Sequence, residues 1–316
     1  MKSFLSIFFI LLSYYSYSQI NLIDEIDENK FIFNSFFLND SILLYVKANK
    51  KENVILYNLK SKEKKIISIS KKIVYRATPS FDKKLIAFYS KDKIIRVYDW
   101  LNDTILVSFL HDNKYGPYMK FVSEANELAI FDRDDKQLTL YSIIKEKPIK
   151  TIDFEGKLFS LDYVPHKELI SVTIENGYET QILLYTNDSL YLKHKIVIGE
   201  DGAYSPIETK YENLMLIGTS SSVLLLWDIE ENKIIKGVYA NEGNVYSTLF
   251  FNNGENFISY GQDGIIYFWK FDGLALISGI KAHKGQVYRA DRLDHSNIFL
   301  SMGDDEKIKV WELKNY

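Results

Sequence analysis

Val223–Asp228 reads VLLLWD, Ile265–Lys270 reads IIYFWK and Ile308–Glu312 reads IKVWE. In each, a run of aliphatic residues closes on a Trp, the composition of a buried strand. Upstream the same run recurs with Tyr in place of Trp, as Val54–Asn58 (VILYN), Ile94–Asp99 (IIRVYD), Leu138–Ser142 (LTLYS) and Ile182–Thr186 (ILLYT). The markers Tyr57, Tyr98, Tyr141, Tyr185, Trp227, Trp269 and Trp311 are separated by 41, 43, 44, 42, 42 and 42 residues. A step this constant defines seven repeats, each able to bury its apolar face only against a neighbour.

A second register keeps the same step. Each repeat opens with an apolar residue followed by an aromatic: Ile32-Phe33, Val74-Tyr75, Pro117-Tyr118, Leu158-Phe159, Ala203-Tyr204, Val245-Tyr246 and Val287-Tyr288. Turn residues fall between the two registers, at Pro79-Ser80-Phe81-Asp82, Asn176-Gly177, Asn252-Asn253-Gly254 and Asp263-Gly264, where tight strand connections need them.

These residues resemble the WD-repeat family, whose units of this length each supply four strands to one propeller blade. The Trp-Asp pair itself occurs once, at Trp227-Asp228. The resemblance implies an all-β chain, a seven-bladed β-propeller of four-stranded antiparallel blades. It also implies an Asp-His-Ser-Trp hydrogen-bonded network in the last repeat, on His283, Ser301, Asp305 and Trp311. The sixth repeat keeps Ser259, Asp263 and Trp269 but has Asn241 where the His would stand, and the first four repeats lack Trp and most of the network.

The sequence runs five residues past Trp311, although the family's outermost strand follows that position. Ile20–Ile26 (INLIDEI) precedes Phe33 at the distance at which Ile234–Tyr239 and Leu276–Lys281 precede their own repeat's aromatic. It is therefore expected to supply the fourth strand of the last blade and close the propeller, removing two open sheet edges.

Residues 1–18 are of another kind: Lys2, an apolar run Phe4–Leu12, then Ser16-Tyr17-Ser18. That is the pattern of a secretory signal peptide cleaved near Ser18, leaving residues 19–316 as a single propeller exported to the periplasm or the exterior. The run is too short to span a bilayer, so no membrane span is expected. With no Cys, the 316-residue chain has no disulfide, thiolate nucleophile or Cys-based zinc site. A net charge of -3 gives no drive toward phosphate backbones, which argues against nucleic acid.

No Gly-x-Gly is present, so neither a dinucleotide fingerprint nor a Walker loop can form. The run Gly218-Thr219-Ser220-Ser221-Ser222 lacks the second Gly of a nucleophile elbow and reads as a loop. The five His are scattered, and the acidic groups Asp132, Asp134, Asp135 and Asp304, Asp305, Glu306 coincide with predicted turns. No metal, cofactor or catalytic residue is expected, and the chain reads as a monomer that is not an enzyme.

By the family's geometry the residue after the opening apolar position lies at the rim of the central channel. The resemblance thus makes Phe33, Tyr75, Tyr118, Phe159, Tyr204, Tyr246 and Tyr288 a candidate binding rim, with Arg76 and Arg289 beside it. Rigid aromatic faces with hydroxyl tips suit recognition of a protein, peptide or glycan. The competing reading is that these rings pack between blades and that the two Arg pair with Asp. The expected function is a non-catalytic binding scaffold; the alternative is a propeller hydrolase or lyase acting on an extracellular polymer.

One further pattern recurs three times: Asn39-Asp40-Ser41-Ile42, Asn102-Asp103-Thr104-Ile105 and Asn187-Asp188-Ser189-Leu190. Asp, then Ser or Thr, then an aliphatic resembles the acceptor motif of a bacterial O-glycosylation system for exported proteins. Asn-x-Ser/Thr also fits N-glycosylation, while ordinary Asx-turn chemistry between strands is the favoured reading.

Overall fold

The computed structural model describes residues 20–112, 116–122, 126–204 and 206–313. The expected signal peptide and its cleavage point lie outside them. Every described sheet is four-stranded and antiparallel, and the seven sheets make a seven-bladed β-propeller. Three one-turn 3-10 segments, Pro165–Lys167, Asn252–Gly254 and Asp272–Leu274, are the helical elements among the described residues.

The chain divides into two compact units. The first to hold a complete set of repeats is Lys30–Pro206 with Ile229–Lys233. Its blade one is Ile32–Phe37, Ile42–Lys47, Val54–Asn58 and Lys64–Ile67; blade two is Val74–Pro79, Leu85–Ser90, Ile94–Asp99 and Thr104–Leu110. Blade three is Tyr118–Val122, Glu127–Asp132, Gln137–Ser142 and Lys147–Asp153; blade four is Lys157–Val164, Leu169–Asn176, Glu179–Thr186 and Leu192–Gly199. The aliphatic runs read from the sequence are the third strands throughout. Second strands are buried on both faces, as Leu43, Leu44, Tyr45 and Val46 illustrate at 0% exposure, which is why they read as continuous apolar runs. Outer strands bury one side chain in several, such as Val107 within Thr104–Leu110. Between blades one and two, the Ala77 amide donates to Asn34 Oδ1 at 3.1 Å.

The other unit is Met1–Asn29, Ile207–Asp228 and Ile234–Tyr316. Blade five is Ile207–Glu208, Leu214–Gly218, Val223–Asp228 and Lys233–Tyr239; blade six is Val245–Phe251, Asn256–Gly261, Ile265–Lys270 and Ala275–Lys281. Blade seven takes its first three strands from Val287–Arg292, Ile298–Gly303 and Lys307–Leu313, and its outer strand from Ile20–Asp27. The N-terminal strand pairs with Lys307–Leu313 from Ile20 opposite Leu313 to Asp27 opposite Lys307, with Ile23 as an extra residue. Ile26 is its buried anchor at 3% exposure, and Lys307 bridges Glu25 and Asp27 beside it. The closing strand expected from INLIDEI is thus in place, because its apolar and acidic residues match the Ile308 and Lys307–Lys309 side chains opposite.

Blade five departs from the regular pattern. Its first strand is only two residues long, and Tyr204 lies before it. Pro206 has no amide hydrogen to offer the second strand, so pairing starts one residue later.

Candidate functional site

In five blades the half-buried aromatic of the second register is the extra residue of a β-bulge. In blade one Ile32 faces Lys47 and Asn34 faces Val46, leaving Phe33 unpaired. Tyr75 is skipped in the same way between Val74 and Arg76, and Phe159 between Leu158 and Ser160. Tyr246 and Tyr288 are skipped between Val245 and Ser247 and between Val287 and Arg289. A bulge turns its extra side chain out of the regular alternation and stops ladder pairing there. The preceding residue is driven inward, and Ile32, Val74, Leu158, Val245 and Val287 are all buried. Tyr118 is different, opening its strand opposite Phe131 directly after Pro117.

In the unit of blades one to four, the Phe33 and Tyr75 rings meet edge to face at 5.6 Å, and Phe33 meets Phe31 at 5.3 Å. The Arg76 guanidinium lies 4.2 Å from the Tyr118 ring centre and that of Arg133 lies 5.7 Å from it, a cation–π arrangement. Phe159 and Tyr204 meet edge to face at 6.1 Å, with Lys157 Nζ 5.7 Å from the Phe159 ring. Phe33, Tyr75 and Tyr118 also pack one face against core clusters. In the unit of blades five to seven, the Tyr246 hydroxyl donates to Gln286 Oε1 and that of Tyr288 to Asp304. The Gln286 backbone amide donates to Asp304 Oδ2 at 2.9 Å, so the same carboxylate receives the Tyr288 hydroxyl and the main chain of Gln286. Burial, then the charge of Asp304, raises the Tyr246 pKa and keeps the phenol protonated. Arg289 is half-buried and makes no ion pair with a described residue.

Blade seven holds a fully connected polar chain. Asp305 Oδ1 lies 2.7 Å from His283 Nδ1, and His283 Nε2 lies 2.7 Å from Ser301 Oγ. Trp311 Nε1 donates to Ser301 Oγ at 2.8 Å. A carboxylate can only accept, so Nδ1 carries the ring proton; Ser301 accepts from Trp311 and donates its own hydrogen to Nε2. This is neutral His beside ionised Asp. Burial pushes the His283 pKa down, against the opposing pull of Asp305. Burial alone would raise Asp305, but the hydrogen bonds from His283 and the Lys284 amide, with the neighbouring positive charge, together outweigh it and the carboxyl stays below its usual range. Gly303 makes room for the ring: a Cβ there would sit 2.6 Å from His283 Cγ.

Blade six builds the same chain without His. Trp269 Nε1 donates to Ser259 Oγ at 3.0 Å, Ser259 to Asn241 Oδ1 at 3.0 Å, and Asn241 Nδ2 to Asp263 at 3.4 Å. The Asn amide offers one acceptor and one donor in the places of Nε2 and Nδ1–H. Blade five has Ile217 at the Ser position, and the buried Trp227 indole has no acceptor among the described residues. Blade two keeps an Asp six residues before its marker, Asp92, and turns it elsewhere. Arg96 grips both its oxygens at 3.1 and 2.7 Å, while Ser90 and Ser70 donate to it at 2.6 and 3.0 Å. Burial opposes ionisation, but these donors hold Asp92 far below the usual carboxylate range. Sequence reading missed this network because its Arg replaces the His and Trp together.

The acidic groups serve turns: Asp132 Oδ1 accepts from the amides of Asp134 and Asp135, and Asp305 Oδ2 from that of Lys284. No group of three His, Asp or Glu able to hold a metal is found among the described residues, and no described helix is long and apolar enough to cross a membrane.

A chain of the mitotic checkpoint complex, known from a crystal structure, shares this fold with a TM-score of 0.78, over 93% of the present chain and 96% of the other, at 14% sequence identity. The seven-bladed propeller implied by the WD-repeat resemblance is therefore the fold observed. At that identity the likeness is one of fold, and 1775 chains of solved structures match, too broad a set to carry an activity. No family model matches the chain, and no curated protein matches it.

Proposed function

We propose that the protein is a non-catalytic binding scaffold, taking a protein, peptide or glycan segment on the blade ends that carry the bulge aromatics. The observation that carries this reading is the repeated bulge at Phe33, Tyr75, Phe159, Tyr246 and Tyr288. Packing alone requires no break in the ladder, whereas a bulge re-aims a side chain and is favoured beside binding sites. Half-buried aromatic rings held by Gln286, Asp304 and neighbouring cations lose little entropy when a ligand covers them. The signal-peptide pattern of residues 1–18 supports a location in the cell envelope or outside the cell for this activity. Crosslinking and co-purification from native cells test it, with a Tyr204→Ala, Tyr246→Ala, Tyr288→Ala variant as control. A partner captured by the wild type and lost by a variant that still folds supports the scaffold. Equal capture by both discards it.

A further inference from the structure

The tetrapeptides at Asn39, Asn102 and Asn187 share a sequence but not a structural job. Asn39 forms an Asx turn between the first two strands of blade one, its Oδ1 accepting from the amides of Ser41 and Ile42 at 2.9 Å each. The other two lie between third and fourth strands, in blades two and four. There the turn places a left-handed residue four positions past the end of the third strand: Lys62, Asp103, Glu146, Leu190, Asn232 and Leu274 in blades one to six. The motif meets that position in two registers, with its Asp at φ 54° in blade two and its Leu at φ 50° in blade four. In blade two the turn amides of Leu101 and Asn102 are bound by Asp99, which is outside the motif. Turn chemistry therefore does not account for the recurrence.

What the three copies do share is an accessible hydroxyl preceded by an exposed carboxylate. Thr104 and Ser189 are exposed and Ser41 is half-exposed, while Asp40, Asp103 and Asp188 are all exposed. Two of the three Asn amide nitrogens are occupied instead: Asn102 Nδ2 donates to Asp99 at 2.8 Å, and Asn187, 9% exposed, donates to Tyr163. Antiparallel strands reverse at each turn, so first-to-second and third-to-fourth connections fall at the same end of a blade. All three motifs thus occupy the end opposite the bulge aromatics, within the unit of blades one to four.

We propose that Ser41, Thr104 and Ser189 are acceptor hydroxyls for O-linked glycosyl groups, which this placement keeps clear of the aromatic end. The hydroxyl oxygen attacks the anomeric carbon of a sugar activated as a diphosphate ester. The new C–O bond forms as the bond from that carbon to phosphate oxygen breaks, the diphosphate leaves with the electron pair, and the hydroxyl proton passes to a base of the transferase. At Ser189 that proton already points at the Asp188 carboxylate, 2.8 Å away. A phosphoryl group is the poorer occupant, since it would set about −1.5 to −2 charges against the preceding Asp each time.

Intact-mass measurement and peptide mapping of the protein purified from its native cells test the proposal. The expected result is a mass excess of whole sugar residues, released by β-elimination and lost stepwise in Ser41→Ala, Thr104→Val and Ser189→Ala. Thr104→Ser and Ser189→Thr keep the excess, which separates acceptor chemistry from disturbed folding. An unmodified mass, an excess that survives the triple variant, or one removed by phosphatase or by an amide-cleaving N-glycosidase overturns it.

Discussion

Replacing Ser301 with Ala isolates the polar chain of blade seven. The Ser301 hydroxyl is fully buried and touches two partners, the Trp311 indole at 2.8 Å and His283 Nε2 at 2.7 Å. Removing one oxygen leaves an indole donor and an imidazole acceptor without partners, each costing about 1–3 kcal/mol when buried. The cavity left by a hydroxyl is too small to admit a compensating water of its own. The expected loss is about 2–4 kcal/mol, read as a lower urea midpoint at unchanged slope. At roughly 2–4 °C per kcal/mol for a chain of this size class, the melting point falls by about 5–15 °C. Ser301→Ala unfolding within about 0.5 kcal/mol of wild type, the range of an ordinary surface change, would refute the assigned hydrogen bonding.

The other networks give graded outcomes. Trp227→Phe is expected to cost less than Trp311→Phe in the same denaturation assay, because the Trp227 indole already lacks an acceptor; equal losses contradict this. Since burial lowers the folded His283 pKa below its ordinary 6.5, the unfolded chain takes up the proton first as pH falls. Stability is then full above about pH 6.5 and declines below it, and His283→Asn, copying Asn241 of blade six, makes that decline shallower. A pH profile identical in the variant counts against a neutral His283. Arg96→Ala leaves the half-buried Asp92 with two Ser donors and no cation, and is expected to destabilise more than removing the exposed partner in Lys84→Ala, whose Asp82 pair is solvent-screened.

Much of the fold was legible because third strands bury most of their side chains, and the buried ones are aliphatic or aromatic, so the runs stand out in the sequence from VILYN to IKVWE. The outer strand Ile20–Asp27 was legible from position alone, since its exposed residues carry little pattern of their own. Bulges were not legible: Phe33 and Tyr246 read as ordinary strand residues until the partner's register shows them unpaired. The short first strand of blade five had a signal in Pro206 that spacing overrode. Asp92 was readable as the sixth residue before Tyr98, but the substitution of Arg96 for a His-Trp pair is a matter of three-dimensional reach. The second-register aromatics were found by spacing, whereas the anchoring of Tyr246 by Gln286 and of Tyr288 by Asp304 depends on connections from neighbouring strands.

The last blade of the propeller is completed by the N-terminal strand Ile20–Asp27. That strand contributes seven residue pairs to Lys307–Leu313 and buries Ile26. At about 0.5–1.5 kcal/mol per hydrogen bond and about 2–3 kcal/mol for the Ile, its loss removes on the order of 5 kcal/mol or more, against a typical total of roughly 5–15. Thermal unfolding of residues 28–316 beside residues 19–316 measures this directly. The truncated chain is predicted to melt at least about 10 °C lower or to lose its cooperative transition. Melting at the same temperature as the longer chain would contradict the completion of blade seven by the N-terminal strand.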